Sequence, residues 1–303
     1  MRDYIGYADT PPQFDWPGGA RVAVNFVVNY EEGSEYSIDD GDGRSESALI
    51  EVSTPRVPVG SRDLASQSMY EYGCRVGFWR LHDLFVSRGL PVTIFAAAVA
   101  LERNPRAARA IARTDWDIVC HGLRWIEHYH LDEAEERDQI ARAYSLVTDL
   151  LGRTPSGWYC RYSRSENTRR LVVEHGGFAF DSDAYNDELP YWTLVSDAPH
   201  LVVPYSLVTN DAKFLQGGWV TGAEYGTFLI ETLTGLLEHD GPRMMSVGLH
   251  PRIIGHPGRL AGLVAFLDHI AALQGVWVAG RLAIAEHFKR CVPFSRETAG
   301  EFT

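Results

Sequence analysis

Acidic, imidazole and guanidinium side chains in this sequence recur directly after short runs of apolar, β-branched residues. The polar sets that follow these runs are Asn29-Tyr30-Glu31-Glu32, His121-Gly122-Leu123-Arg124-Trp125, Tyr159-Cys160-Arg161, Asp181-Ser182-Asp183 and Leu249-His250-Pro251-Arg252. Carboxylates and imidazoles can exchange protons with a substrate near neutral pH, and amide or guanidinium groups can bind developing negative charge. Brought together, these sets would be typical of acid–base hydrolysis of a small polar substrate.

The apolar runs that precede the polar sets are predicted to be strands of a mostly parallel sheet. They occupy residues 21–28, 92–98, 117–120, 157–160, 178–181, 201–205, 244–249 and 276–279. Several are almost continuously apolar, as expected for strands that are buried on both faces. Helices are predicted between many of them, at residues 74–88, from Asn104-Pro105 onward, and at 132–152, 167–175, 224–239, 257–273 and 282–290.

This alternation of strands and helices indicates the α/β class. Seven or eight strand–helix units predict a distorted (β/α)7–8 barrel that forms one domain over residues 1–303. The G-x-G-x-x-G turn of a doubly wound open sheet is absent from the sequence. Because a parallel barrel forms its active site where the strands end, we expect the polar sets to share one mouth.

Two segments depart from the strand–helix pattern. Residues 1–20 are rich in Pro, Gly and Asp and predict an irregular arm on the surface, whereas residues 33–68 predict a long polar loop. A loop of this length in a compact domain is usually functional or part of a subunit contact.

Composition and charge exclude several classes of partner. The formal net charge is −12 and no basic stripe is visible, which argues against nucleic acid and anionic membranes. We expect neither a signal peptide nor a membrane span, because no stretch has 18 consecutive apolar residues. The four cysteines are scattered without a C-x-x-C pair, which indicates reduced thiols and a cytoplasmic protein.

Taken jointly, the polar sets resemble the motifs of the polysaccharide deacetylase (carbohydrate esterase) superfamily over nearly the whole chain. In that family an acidic pair, an H-x-x-x-H motif, an Arg, an Asp with a nearby Trp, and a Leu-His pair follow the strands of a distorted (β/α) barrel. The resemblance implies that one Asp and both motif histidines bind zinc or a similar metal. It also implies that another Asp is the base and that the Leu-His histidine, here His250, is the acid.

Two positions depart from the metal site of that family. His121 keeps the first motif imidazole, but Trp125 stands at the second histidine position, and an indole has no lone pair for a metal. If Glu31 matches the metal-binding Asp, then Asn29 stands at the base position, where an amide cannot accept a proton. We therefore expect no metal cofactor. If zinc or another divalent metal is bound, Glu31 and His121 would hold it, and Glu127 or His128 could restore a ligand.

These departures match the metal-independent allantoinases and related cyclic-imide hydrolases. The matching segments are Asn29-Tyr30-Glu31-Glu32-Gly33, Tyr70-Glu71-Tyr72-Gly73, His121-Gly122-Leu123-Arg124-Trp125, Gly157-Trp158-Tyr159, Asn167-Thr168-Arg169-Arg170, Asp181-Ser182-Asp183, Leu189-Pro190-Tyr191-Trp192 and Gly248-Leu249-His250. Residues 160–166 do not resemble the Gly-rich stretch of allantoinases, so the ring could be allantoin, another ureide or a cyclic imide. The resemblance also implies a homodimer or homotetramer, with residues 1–20 and 33–68 as possible contacts.

The hypothesis that follows is hydrolytic opening of a small cyclic amide, ureide or imide. Glu31 or His121 would act as the base, with the pKa of Glu31 raised by a partly dry pocket, and His250 would act as the acid. Residues expected to bind the substrate are Asn29, Glu32, Tyr70, Glu71, Trp125, Tyr159, Arg161 and Asp183. His128 and His130 are predicted to lie at the surface. The alternatives are a metal-dependent deacetylase of an N-acetylated sugar or polysaccharide, and an inactive barrel that binds a small molecule.

Overall fold

A curled sheet of nine strands forms the centre of the protein in the computed structural model, which describes residues 3–52 and 57–296. The strands are β1 Val22–Tyr30, β2 Thr93–Ala96, β3 Asp117–Cys120, β4 Gly157–Trp158, β5 Phe180–Asp181, β6 Tyr191–Val195, β7 Ala198–Val202, β8 Arg243–Leu249 and β9 Val276–Val278. Their order is β6-β7-β5-β4-β3-β2-β1-β8, and β9 pairs with the first half of β1. All pairs except β6–β7 are parallel, which confirms the α/β fold of the deacetylase-type barrel.

Strand β1 pairs with three other strands of the sheet. All nine of its residues are buried, and it pairs with β8 along one edge and with both β2 and β9 along the other. A mostly apolar strand that is buried along its whole length is expected where helices cover one face and the barrel interior covers the other.

The region around residues 191–202 differs from the prediction of a parallel strand at 201–205. Tyr191–Val195 and Ala198–Val202 instead form an antiparallel hairpin, and only the end of β7 pairs with β5. The turn residues Ser196 and Asp197 have φ of 49° and 64°, the left-handed conformations of a two-residue hairpin turn. The predicted strand is present and pairs in parallel with β5 at Val202, but β6 and the hairpin were missed because Ser-Asp is a weaker turn signal than Asn-Gly or Asp-Gly.

Ten α-helices surround the sheet in the described residues: α1 Leu64–Tyr72, α2 Phe78–Arg88, α3 Ala98–Arg103, α4 Pro105–Ala112, α5 Glu133–Leu151, α6 Thr168–His175, α7 Gly222–Glu238, α8 Pro251–Ile254, α9 Pro257–Ala271 and α10 Arg281–Cys291. Two sequence signals for helix starts are confirmed. Asn104 accepts the N–H of Ala107 ahead of Pro105, and Asp132 accepts the N–H of Glu135. No helix within the described ranges is long and apolar enough to cross a bilayer.

The predicted loop over residues 33–68 is shorter than expected at its end. Helix α1 already begins at Leu64, because the side chain of Asp63 accepts the N–H of Ser66 and caps it. A π-helical segment, Gly73–Gly77, joins α1 to α2. A Cβ at Gly73 would lie 2.3 Å from Glu32 Oε1, and one at Gly77 would lie 1.9 Å from the Pro251 carbonyl oxygen. These two glycines let the helix approach the strand ends closely.

Candidate active site

The ends of β1, β3 and β8 bring the three predicted catalytic residues together. The strand register places Tyr30 beside Ala96, Ala96 beside Cys120, and Val28 beside Leu249, so the residues that follow emerge at one level. Glu31 Oε1 lies 3.0 Å from His121 Nε2 and 3.5 Å from His250 Nε2. None of the three is more than 4% exposed, so their charges interact in a dry environment.

His250 is held by a carboxylate that sequence reasoning missed. Its Nδ1 lies 2.6 Å from Asp211 Oδ1, while Asp211 Oδ2 accepts the backbone N–H groups of His250 and Ile254 at 2.6 and 3.2 Å. Burial lowers the pKa of His250, but the charges of Asp211 and Glu31 overcome this and raise it to about 9. The ring is therefore protonated at neutral pH. Asp211 lies 39 residues before His250 in a short 3-10 turn, and no local pattern marks it.

Glu31 differs in its electrostatics from the sequence-based expectation. Burial by itself raises the pKa of this carboxyl, but the charges of His250 and Arg252 and hydrogen bonds from both imidazoles hold it well below its usual range. The expected rise of the Glu31 pKa was therefore wrong. It is Glu32 whose pKa is raised, to about 6, because burial and the neighbouring Glu31 outweigh the attraction of Arg252.

Arg252 enters the site from α8, directly after His250, and had no predicted role. Its Nη2 lies 2.8 Å from Glu31 Oε2, and its backbone N–H and Nη1 donate to Glu32 Oε1 at 3.1 and 3.3 Å. The guanidinium carbon stands 4.4 Å from the centre of the Tyr70 ring. Arg252 is 4% exposed, so it is a fixed positive charge beside the paired glutamates.

His121 is oriented by two oxygen acceptors. Its Nδ1 lies 3.1 Å from the carbonyl oxygen of Tyr159, and its Nε2 faces Glu31. A carbonyl and an ionised carboxylate can only accept hydrogen bonds, so both ring nitrogens face acceptors. The imidazole also stacks on the Tyr159 ring, with 5.0 Å between centroids. His121 is thus placed to hold Glu31 and donate to it.

The residues expected to bind the substrate are only partly brought to this mouth. Asn29 Nδ2 donates to the Tyr205 hydroxyl at 3.2 Å and to the Leu249 carbonyl at 3.3 Å, beside the catalytic group. Glu32 faces Arg252, as described above. Glu71 instead lies on the exposed side of α1 and pairs with Arg75 at 3.3 Å, so the structure does not bring it to the site. Helical spacing explains this, because Tyr70 and Glu71 point in different directions.

Tyr159 and Asp183 lie on the side of the mouth formed by β4 and β5. The Tyr159 and Tyr185 hydroxyls are 2.9 Å apart, and Asp183 accepts the N–H of Cys160 at 3.0 Å. Burial and the charge of Asp181 raise the pKa of Asp183 to about 7. Asp181 itself pairs with Arg169 and His200 and points away towards the hairpin.

The segment 46–50, which we call the cover, contacts Arg252 and the residues around it. Ile50 packs with Tyr70 and Trp125 in one buried cluster, and the Leu49 carbonyl accepts Arg252 Nε at 3.3 Å. Glu46 pairs with Arg161, whose guanidinium stands 3.8 Å from the centre of the Trp125 ring. The cover therefore joins the predicted substrate-binding residues Tyr70, Trp125 and Arg161 and closes the site to solvent.

A surface groove of about 480 Å³ lies elsewhere, at the first turns of α7 and α9. Its lining consists of Glu51, Val220, Thr221, Gly222, His256, Gly258 and Arg259. Glu51 is committed to an ion pair with Arg259 at 2.6 Å, so no carboxylate–imidazole pair is available there. The buried cluster at the strand ends is the better candidate because it joins Glu31, His121 and His250 with the fixed charge of Arg252.

Comparison with known proteins agrees with this arrangement. Residues 67–180 match the family model described as Polysaccharide deacetylase. A protein of Schizosaccharomyces pombe assigned to the polysaccharide deacetylases is 35% identical over 317 residues, covering 97% of this chain and 98% of the relative.

The chain belongs to the polysaccharide deacetylase family. Two solved structures are similar over 97% of the chain and 99% of their own length, each with a TM-score of 0.93. One is a probable polysaccharide deacetylase from Pseudomonas aeruginosa PAO1, at 44% identity, and the other is Puue allantoinase, at 42% identity.

The metal that polysaccharide deacetylases are expected to bind does not fit these residues. Within residues 3–52 and 57–296, no three His, Cys, Asp or Glu side chains are grouped to hold a metal ion. Trp125, at the second motif-histidine position, is buried between two guanidinium groups. Arg252 occupies the side of Glu31 that faces away from the histidines, and its charge opposes a second cation there.

His128 and Glu127 do not restore a ligand set. His128 is fully buried, so its predicted surface position was wrong, whereas His130 is exposed as expected. His128 Nδ1 lies 3.0 Å from Glu136 Oε1, in a network with Ser165 and Thr168 under α5. Glu127 pairs with Arg44 and Arg161. Glu127 and the Nδ1 atom of His128 are thus engaged in other contacts.

Proposed function

We propose that this polysaccharide deacetylase family member hydrolyses a C–N bond within a small cyclic amide, ureide or imide, using acid–base catalysis by its own side chains. The observation that carries the proposal is the Glu31 carboxylate, fixed between His121, His250 and Arg252. The ionised Glu31 carboxylate and the protonated His250 imidazole stand 3.5 Å apart, so a proton acceptor and a proton donor can reach the same amide bond. The likeness to Puue allantoinase adds support for a cyclic ureide or a related ring.

In this mechanism Glu31 takes one proton from a water molecule as the water oxygen bonds to the ring carbonyl carbon. His250 gives its Nε2 proton to the ring nitrogen as the C–N bond breaks. Glu31 then returns its proton to His250 across the 3.5 Å gap, which restores both groups. The net reaction consumes one water and yields a carboxyl group and an N–H group. His121 holds Glu31 in place, and the positively charged guanidinium of Arg252 stabilises the negative charge that develops on the carbonyl oxygen.

The closed cover favours a small ring over a polymer. Glu31, His121 and His250 are all nearly inaccessible to solvent. A polysaccharide chain extends beyond its reacting sugar and needs an open groove, whereas a small ring can be enclosed completely. The cover must open to admit the ring and then close again.

The decisive experiment is a parallel assay of the purified protein with and without a chelator. Allantoin, hydantoin and succinimide test ring opening, and an N-acetylglucosamine oligomer tests deacetylation. We expect turnover of at least one ring that is unchanged by the chelator, and we expect His250→Ala to lower kcat by roughly 10²–10⁴. Chelator-sensitive release of acetate from the oligomer would instead identify a metal-dependent deacetylase. Binding of a ring without turnover would indicate an inactive barrel.

A further inference from the structure

Two buried atoms in the proposed active site keep unused hydrogen-bonding capacity. Glu31 Oε2 and Arg252 Nη2 lie 2.8 Å apart, but neither makes an aligned hydrogen bond, because the N–H bonds of Nη2 do not point at the oxygen. Glu31 is 1% exposed and Arg252 is 4% exposed. The two atoms form an ion pair, but a buried donor and acceptor without aligned hydrogen bonds can each still bind a ligand group.

The remaining polar atoms of both side chains are already committed. Arg252 Nε donates to the Leu49 carbonyl and Nη1 donates to Glu32, both at 3.3 Å. Glu31 Oε1 accepts from His121 at 3.0 Å. What remains is one donor and one acceptor, side by side, on the catalytic carboxylate and its neighbouring cation.

We infer that Arg252 Nη2 and Glu31 Oε2 together recognise the cis-amide edge of a ring, an inference that rests on the proposed function. In a small ring the C=O and N–H groups of one amide point the same way. Their oxygen and nitrogen are about 2.3 Å apart by standard bond lengths. The 2.8 Å spacing on the protein suits two nearly parallel hydrogen bonds, from Nη2 to the ring oxygen and from the ring N–H to Oε2.

This edge discriminates between the two classes of substrate. The acetamido group of an N-acetylated sugar is an open-chain secondary amide, which is trans, so its C=O and N–H point in opposite directions. It can satisfy Arg252 or Glu31 but not both at once, and adopting the cis form costs about 2.5–4 kcal/mol. The pair therefore selects rings with a free amide N–H and rejects acetamides by geometry.

The test compares succinimide with N-methylsuccinimide, whose methyl group replaces the N–H. Binding is measured by calorimetry on the His250→Ala variant, so that slow turnover does not interfere. We expect N-methylation to weaken binding by about 10- to 100-fold, the range for a hydrogen bond to a charged group. N-Methylacetamide, the open-chain amide, is expected to bind more weakly than succinimide. Equal binding of the two imides, or binding of neither, would overturn the inference.

Arg252→Lys tests the hydrogen bond from Arg252 Nη2 to the ring oxygen. Lysine keeps the charge but lacks the planar fork, so we expect succinimide affinity to fall by about tenfold. Arg259→Lys is the matched control, because Arg259 forms a partly exposed ion pair with Glu51 and should leave affinity unchanged. If Arg252→Lys does not fold, the N-methyl comparison still decides.

The two proposals can fail separately. If the wild-type protein opens a ring but the two imides bind His250→Ala equally, Arg252 and Glu31 do not recognise the cis-amide edge. The proposed function then stands. If succinimide binds with the expected dependence on its N–H but no ring is turned over, recognition stands and the proposed function fails.

Discussion

The side chain of His250 illustrates how neighbouring charges set the protonation state of a buried group, and with it the group's role in catalysis. Burial alone would make this histidine neutral, since a dry environment disfavours the imidazolium. Asp211 at Nδ1 and Glu31 near Nε2 reverse that preference and raise the pKa of His250 to about 9. His250, Arg252 and His121 in turn hold the pKa of Glu31 well below its usual range, so Glu31 is ionised while His250 is protonated.

Asp211→Asn should move the pH dependence of the reaction. His250 serves as an acid only while protonated, so its contribution is present below the raised pKa and is lost as pH rises through about 9. Removing the charge of Asp211 lowers the pKa of His250, and the alkaline limb of the kcat/KM profile should shift to lower pH. Asp268→Asn, at an exposed ion pair, is the control. An unmoved alkaline limb would show that Asp211 does not tune His250.

At the scale of elements, the conformation of the cover depends on the turn that begins at Glu46. Glu46 Oε1 accepts the N–H groups of Ser47 and Ala48, each at 2.8 Å, while the same carboxylate pairs with Arg161. Leu49 follows with a φ of 52°, an unfavourable conformation for a branched side chain, and turns its carbonyl towards Arg252. One carboxylate thus shapes the turn and fastens it to the barrel.

Glu46→Gln should loosen the cover without removing a catalytic group. The amide keeps the side-chain shape but loses the charge that holds Arg161 and both N–H groups. We expect hydrogen exchange at Ser47 and Ala48 to speed up by about tenfold or more, and KM to rise more than kcat falls. Glu51→Gln breaks a partly exposed ion pair nearby and should change neither. Unchanged exchange in Glu46→Gln would mean that other contacts hold the cover closed.

At the scale of the whole molecule, Arg281 lies inside the barrel and connects several of its strands by hydrogen bonds. It is fully buried at the start of α10 and donates to Asn25 and Ser246, on β1 and β8, at 2.9 Å each. It also donates to Ser182 and to the Val203 and Pro204 carbonyls, just after β5 and β7. Burial lowers the pKa of Arg281 to about 10, so it remains charged at neutral pH without a directly bonded carboxylate.

Arg281→Met should destabilise the fold. Methionine fills much of the volume but leaves five acceptors inside the barrel without a donor, so we expect the free energy of unfolding to fall by about 3 kcal/mol. Urea unfolding measures this, with Arg290→Met on the exposed side of the same helix as the control. A more stable variant would show that the desolvation of the guanidinium outweighs its hydrogen bonds.

Local patterns in the sequence were enough to identify most of the architecture. The apolar strand β1, the cap at Asn104 and the helix start at Asp132 depend on residues a few positions apart, so their signals survive without tertiary contacts. The same locality explains the predicted convergence of Glu31, His121 and His250, because parallel strands end at one rim wherever the barrel forms.

Only the tertiary structure decided which groups these residues meet. The pairing of Asp211 with His250, the approach of Arg252 to Glu31 and the burial of His128 join distant segments or depend on side-chain direction. So does the exclusion of Glu71, which neighbours a residue of the site in sequence but faces solvent. Periodicity is a property of the chain, whereas electrostatics and hydrogen bonding depend on distances through space, which exist only once the chain is packed.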